Sequence, residues 1–384
     1  MRLKRDPQDF VVREATSLRI RREPGPYQVY LLEKEGWNTV DALMRIAKAV
    51  RLPYQAFGYG GKKDRHAITA QYVTVQGERR DLSRQEKGYK LTRMGYATEP
   101  MAPSQILHNS FQLTIRELTE AEAQQIVTRA KRNQPIPNWF DDQRFGNMDR
   151  ERGFVIEKLL QGRAEEALNL ALTTIWSEEA PHAKERKRKM QEAWGDWPAL
   201  QDLAETAFER RCFDFMLEDP NSAKRALATS HPEQMGLRIS TYQSFLWNEV
   251  LRRWLIGQGL VGSMAPGVAG DLIYLPAGTE VDLRTIIPMP GRGMRFPVTE
   301  TGLIFEEILR ERRLRPAALE GEVLTGQTIK AFPREAFIKA EGLHVGAPEP
   351  DEYYAGKFKL ALRFILPRGA YATNFIKSLA AADV

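Results

Sequence analysis

Residues 357–366, KFKLALRFIL, return to strict apolar/polar alternation after a long stretch of helical spacing. Phe358, Leu360, Leu362 and Phe364 fall on one face of an extended chain, which is the pattern of a half-buried strand. A lone strand cannot bury that face, so it needs a sheet already built elsewhere. The first part of the chain supplies one: DFVVREA (9–15), QVYLLEKE (28–35), ITAQYVTVQ (68–76) and SFQLTIRE (110–117) all read as strands, the last with Phe111, Leu113 and Ile115 alternating. Two helices stand among them. Val40, Leu43, Met44, Ala47 and Val50 follow an Asn38 cap, and TEAEAQQIVTRAKR opens with a capping box of Thr119 and Glu122. The ends of the chain therefore read as α+β.

From about residue 150 to 258 the pattern is almost wholly helical, as in GFVIEKLLQGRAEEALNLAL, LQDLAETAFERRCFDFML and ISTYQSFLWNEVLRRWL. Residues 262–297 are rich in Gly and Pro, with short apolar runs such as DLIYLP, and predict loops and small strands. LPRGAYAT then leads into a terminal helix, NFIKSLAAA. A chain of 384 residues is long for one core. One α+β domain split by a helical insertion accounts for both the length and the returning strand.

The side-chain inventory narrows the chemistry. Fifty-six Lys and Arg against 50 Asp and Glu, with a pI near 9.2, suit a polyanionic partner. Cys212 is the only cysteine, so neither a disulfide framework nor a cysteine metal site is available, and a reducing cytoplasm is expected. The five histidines lack HExxH spacing, which argues against a zinc hydrolase. MRLKRDPQDFVV has no apolar signal-peptide core, and no apolar run reaches the ~18 residues of a membrane span. Neither export nor a membrane is expected.

One loop carries concentrated chemistry: GYGGKKDRHAITAQYVTV (58–75). Its glycines suggest a phosphate cradle, but Lys63 follows Gly61-Lys62 where a Walker loop requires Ser or Thr. A dinucleotide fingerprint fails too, because a strand follows rather than a helix. A flexible turn that delivers Asp64 to a strand entrance remains. Asp64 then either pairs with Lys62 or Arg65 on a solvated loop or serves as a reactive carboxylate. The densest basic run, KERKRK (184–189), cannot face one way on a helix and reads as a solvated surface; on an RNA surface it would neutralise phosphates.

GGKKDRHAITAQ is similar to the G-x-K-D-[RK]-x-A-x-T-x-Q signature of the TruD family of tRNA pseudouridine synthases, with six fixed residues in one register. Further matches follow in the family's order: LKRDPQDFVVRE, EGWNT, HNSFQLTIRE, PNWFDDQRFG, YQSFLWN and LRFILPRGAYAT. The resemblance implies a pseudouridine-synthase catalytic domain with a mixed, mainly antiparallel sheet, placed at 1–160 and 340–384. A largely helical α/β insertion, the TRUD domain, is placed at 161–339. It implies conversion of uridine to pseudouridine in tRNA, at position thirteen as in the family, by a monomer using no metal, redox or nucleotide cofactor.

The resemblance also distributes roles. Asp64 becomes the nucleophile, attacking either the sugar or the uracil ring, and needs to be ionised; a nearby cation favours that form. Lys4, in LKRDPQDF, becomes its partner, although read alone it belongs to a frayed terminus. Phe140 is assigned to stack on the base and Asn138 to orient the site, with Phe10 and Tyr371 as further substrate contacts; an enzyme acting on a base extracts it from its stack. Arg144 is placed as a phosphate or carboxylate partner, while Arg65 and His66, beside Asp64, are positioned to reach a phosphate flanking the target. Read alone, Trp139, Phe140 and Phe145 are core residues, and Tyr371, after a turn at Gly369, is a packing tyrosine. Trp139 and Asp141 depart from the family's usual Tyr or Phe and Gly, and Asp141 and Asp142 add negative charge there. A catalytically silent RNA-binding protein on the same scaffold is the competing function, disfavoured by the intact Asp64 motif. A glycosidase lacks its second carboxylate in that motif.

Overall fold

The structure is a computed structural model that describes residues 1–78, 80–176, 179–294, 299–324 and 326–381. The chain forms two compact units. The first comprises Met1–Ile136, Ala277–Leu283 and residues 337–381; the second comprises Pro137–Pro276 and Arg284–Ala336.

Ten strands make the sheet of the first unit: β1 (Phe10–Thr16), β2 (Tyr27–Lys34), β3 (Phe57–Tyr59), β4 (Ile68–Gln76), β5 (Arg84–Glu86), β6 (Tyr89–Ala97), β7 (Ile106–Leu118), β8 (Glu341–Val345), β9 (Glu349–Pro350) and β10 (Phe358–Pro367). Their order is β8-β10-β7-β1-β4-β2-β6-β5, with β3 beside β4 and β9 beside β10. The returning strand does complete the first sheet: β10 runs antiparallel to β7 from Phe358 opposite Leu118 to Pro367 opposite His108. Among the described residues of this sheet only β1 and β4 pair in parallel, so it is mixed and mainly antiparallel.

Helices bury the alternating apolar positions in two clusters. Helix α1 (Thr39–Val50), capped where the Asn38 side chain accepts from the Asp41 N–H at 2.8 Å, sets Leu43 and Ile46 against Tyr30, Leu32, Val73 and Leu91. Helix α2 (Glu120–Arg132), with the Thr119–Glu122 capping box, and the C-terminal helix (Ala372–Ala380) cover Val12, Leu113, Ile115, Leu362 and Phe364.

The second unit is mainly helical: α3 (Val155–Leu160), α4 (Ala164–Thr173), α5 (Pro181–Glu192), α6 (Trp197–Leu203), α7 (Ala207–Glu218), α8 (Ala223–Ala228), α9 (Pro232–Gly257) and α10 (Glu300–Glu311). Tyr242, Leu246, Trp247 and Leu251 of α9 are buried. The Gly/Pro-rich stretch supplies a two-residue strand pair, Met264–Ala265 with Leu272–Ile273; residues 295–297 of it lie outside the described residues. Among the described residues no helix is long and apolar enough to cross a membrane.

The first crossing between the units falls at Ile136/Pro137, before the boundary expected at 160. The reason is local. Phe140 exchanges hydrogen bonds with the Asn248 side chain of α9, 3.1 Å from its N–H and 2.9 Å to its carbonyl, and the Trp139 indole donates to the Ile273 carbonyl at 2.9 Å.

Candidate active site

Strand pairing brings Asp64 its surroundings. Because β1 and β4 are parallel, with Val11 opposite Ile68, both strands begin at the same edge of the sheet. The segment preceding β1 and the DRHA turn preceding β4 therefore meet. Lys4 Nζ pairs there with Asp64 Oδ2, the two side chains only 15 % and 19 % exposed. The other carboxylate oxygen, Oδ1, accepts the His66 N–H at 3.0 Å. Lys4 is no frayed end: the Arg2 N–H donates to the Arg116 carbonyl at 2.8 Å and the Arg116 N–H donates back at 2.9 Å. Arg116 also pairs with Asp351 at 3.3 Å, with Asp9 at 2.8 Å and with Glu352 at 3.0 Å; the last two raise its pKa, the Asp9 hydrogen bond foremost. Lys4 has φ of +57°, a left-handed conformation that a non-glycine residue holds only when its surroundings impose it. Its ammonium lies 4.3 Å from the centroid of the Phe10 ring, a cation–π contact.

The backbone of the loop is fixed from the other side. Strand β2 runs antiparallel to β4 with Lys34 opposite Thr69, so the last side chain of β2 reaches the loop. Lys34 Nζ donates to the carbonyls of Trp37 at 2.8 Å, Asp64 at 2.9 Å and Lys63 at 3.2 Å. Burial pushes its pKa down to about 8; the Asp64 charge opposes this and the Lys63 charge adds to it. Lys63 reaches Glu14 Oε2 at 2.8 Å and Asn109 Oδ1 at 2.6 Å. Its N–H donates to Thr39 Oγ1, which donates to Gln71 Oε1, each at 2.8 Å, and the Gln71 amide donates to the Gly61 carbonyl at 3.0 Å.

Gly58 and Gly60 of GYGG act through close approach, since none of Gly58, Gly60 and Gly61 has positive φ. A Cβ on Gly58 would lie 2.6 Å from Thr74 Oγ1 and one on Gly60 2.7 Å from Ile106 Cγ1. Backbone freedom, expected from the sequence, is required at Gly369 instead: its φ is +82°, in the turn closed by the Ala370 N–H on the Pro367 carbonyl. That turn places half-buried Tyr371 at the cap of the C-terminal helix. Arg65 and His66 are exposed, and Arg65 Nε donates to the Gly36 carbonyl at 3.2 Å.

Asn138, Phe140 and Arg144 belong to the second unit. Arg334 organises them. Its guanidinium carbon lies 3.9 Å from the Phe140 ring centroid and 4.8 Å from that of Trp247. The same guanidinium donates to the carbonyl and Oδ1 of Asn138 at 2.7 and 2.8 Å, while the Asn138 amide donates to the Glu335 carbonyl at 3.0 Å. Phe140 is 6 % and Asn138 3 % exposed. Arg144 donates through Nε to Ser244 Oγ at 3.0 Å, and its guanidinium lies 5.6 Å from the Phe140 ring. Asp141, Trp139 and Phe145 are buried. Among the described residues no group of three His, Cys, Asp or Glu is arranged to hold a metal.

Comparison with known proteins bears on what such loops do. The family model described as tRNA pseudouridine synthase D (TruD) matches residues 1–285 and 279–379. The chain belongs to the TruD family. A tRNA pseudouridine synthase D of Leptospira interrogans is 28 % identical over 98 % of this chain and 95 % of its own length. One from Aquifex aeolicus is 27 % identical over 100 % and 99 %. The crystal structure of a Methanosarcina mazei protein given the TruD name superposes with a TM-score of 0.71 at 20 % identity, covering 98 % of this chain and 93 % of that one. That likeness speaks for the α+β fold.

Within this TruD chain several side chains around Asp64 carry no assigned role in the sequence reading, although all but Lys34 lie inside the quoted motifs. Lys34, Lys63, Glu14, Asn109 and Gln71 come from four strands and a loop, and only strand register unites them. The available signal was Lys34 at the end of an apolar strand, just before the EGWNT stretch. Arg334 lies far along the chain from Asn138 and gave no such signal.

Proposed function

We propose that this chain converts uridine to pseudouridine in tRNA, at position thirteen, with Asp64 as the nucleophile. The observation that carries the proposal is the Lys4–Asp64 pair, set in a largely water-excluded niche at the register of the family's aspartate. The attack requires an ionised carboxylate, and the adjacent ammonium offsets the burial that would otherwise protonate it. Attack at the sugar carbon and attack on the ring both begin from that carboxylate. The reaction breaks the N1–C1′ bond and forms a C5–C1′ bond, with C5 losing a proton and N1 gaining one. It balances without metal, nucleotide or redox partner.

The base has to leave its stack to reach Asp64. Within the first unit Phe10 and Tyr371 are proposed as substrate contacts; within the second, Phe140 is proposed to stack on a base and Asn138 to orient it. Arg65, His66 and Arg144 are proposed to meet the phosphates. Phe140, held by Arg334 and Trp247, presents a ring already fixed in place, though with little free surface. The proposed setting is a monomer in the cytoplasm.

The test is chemical mapping of pseudouridine in unmodified tRNA incubated with wild-type or Asp64→Asn protein. Wild type is expected to modify one uridine, and Asp64→Asn to bind tRNA without modifying it. Activity near wild type in the variant removes Asp64 from the chemistry. Wild-type protein that binds tRNA and modifies nothing is an RNA-binding protein.

A further inference from the structure

Lys34 is 2 % exposed, and among the described residues no carboxylate pairs with its ammonium. Its three N–H donors meet three backbone carbonyls instead, which uses its full hydrogen-bonding capacity. One carbonyl belongs to Asp64 itself, one to the residue before it, and one to Trp37, two residues before α1. We propose that Lys34 is a positioning residue: its ammonium holds the Asp64 loop against the end of β2, and its deprotonation releases that loop and makes the isomerisation fall off in alkaline solution. The inference rests on the reading of Asp64 as nucleophile.

The physical case is one of donor number. A neutral amine keeps two N–H groups and gains a lone pair, so one of the three carbonyls would face a lone pair inside a buried site. An unpaired buried acceptor is unfavourable, and the loop relaxes to find another donor. Movement of a nucleophile by about 1 Å can lower a rate about a hundredfold. Lys34 also places a positive charge beside Asp64, which its loss removes. With burial depressing its pKa to about 8, the change falls within reach of an ordinary pH profile.

Other titratable groups surround the site. The β4 entrance presents Asp64 and Lys63, the latter held by Glu14 of β1 and Asn109 of β7. The N-terminal segment presents Lys4, on the Asp64 carboxylate. Strand β6 presents Tyr89, opposite Lys34, with Glu86 beside it; Tyr89 is pushed up to about 12, chiefly by burial. Variants of Lys34 separate its titration from theirs and from any ionisation of the RNA.

The experiment is the pH dependence of kcat and KM for pseudouridine formation in unmodified tRNA, for wild type, Lys34→Met and Lys34→Arg. Wild-type kcat is expected to bend downward near pH 8. Lys34→Met is expected to lose kcat about a hundredfold with KM little changed, and to lose the bend. Lys34→Arg is expected to recover part of the rate and to move the bend to higher pH, because a guanidinium stays charged. Should Lys34→Met fail to fold, NMR titration of the Lys34 ammonium in wild type and Asp64→Asn gives an independent readout. Its midpoint is expected near 8 in wild type and lower in the variant, where the opposing carboxylate charge is gone. An ordinary lysine midpoint, or a bend unmoved in Lys34→Arg, overturns the proposal. If Asp64→Asn stays active, the nucleophile reading fails; if it is inactive while both Lys34 variants keep the wild-type rate and bend, only the Lys34 inference fails.

Discussion

The loop around Asp64 and the segment around Phe140 are held by opposite means. In the first, lysines of different reach grip carboxylates and bare carbonyls: Lys4 on Asp64, Lys63 on Glu14, Lys34 on three carbonyl oxygens. In the second, one guanidinium lies against two aromatic rings while its edge serves an asparagine. Lysine is a compact charge on a flexible stem and loses its proton when buried, whereas arginine stays charged and offers a flat, forked surface. The difference teaches that Asp64 stands in a setting sensitive to pH and to single charges. Phe140 stands in one sensitive to shape.

The largest expected effect probes the ionic half. Glu14 has a fully buried side chain and Lys63 is its cation, so Lys63→Met strands a carboxylate in a low-dielectric site. Breaking such a pair from one side is worth about 3–5 kcal/mol of stability, while removing both charges is far milder. Lys63→Met is expected to lose about that much in urea unfolding, and Glu14→Gln with Lys63→Met to recover most of it. If the double variant is as unstable as the single, the pair is held by something other than its charges.

A smaller effect is expected in the aromatic half. Arg334→Met keeps an apolar body against Phe140 and Trp247 but leaves the Asn138 carbonyl and Oδ1 without their donor. A loss of about 2–3 kcal/mol is expected, since a hydrogen bond from a charged group is worth about 1.5–3 kcal/mol. Arg334→Lys should restore only part of this: both bonds come from the one nitrogen Nη2, which an ammonium can replace, but an ammonium has no flat face to lay against Phe140 and Trp247. Full rescue by lysine would show that charge alone matters there and would erase the distinction between the halves.

How much of this was legible in the sequence follows the same division. Alternation announced β1, β2, β4, β7 and β10, and the Asn38 and Thr119–Glu122 caps announced α1 and α2, because those signals are local. The Asp64 motif and Lys4 were legible through family resemblance. Lys34 was not, since its meaning depends on the antiparallel register that sets it opposite Thr69. The glycines misled for a related reason: what excludes a side chain at Gly60 is Ile106, a distant residue brought close by the fold. The boundary at Ile136 was hidden because Asn248, which holds Phe140, lies far downstream.

The smallest expected effect compares one exposed cation from each unit. Arg65 follows the proposed nucleophile, while Lys189 ends the basic run on α5. That helix already commits cations inward: Arg186 pairs with Glu209 at 3.0 Å and Glu205 at 3.3 Å, and Lys187 pairs with Glu179. The run is therefore partly neutralised by its own unit, and Arg186 and Lys187 depart from the solvated surface that the sequence suggests. Arg65→Gln is expected to raise KM for tRNA and to lower the slope of log affinity against log salt by about one, the signature of one lost phosphate contact. Lys189→Gln is expected to leave that slope unchanged. Equal falls in both variants would put α5 on the RNA and make neutralisation by Glu179, Glu205 and Glu209 a means of tuning the run's charge.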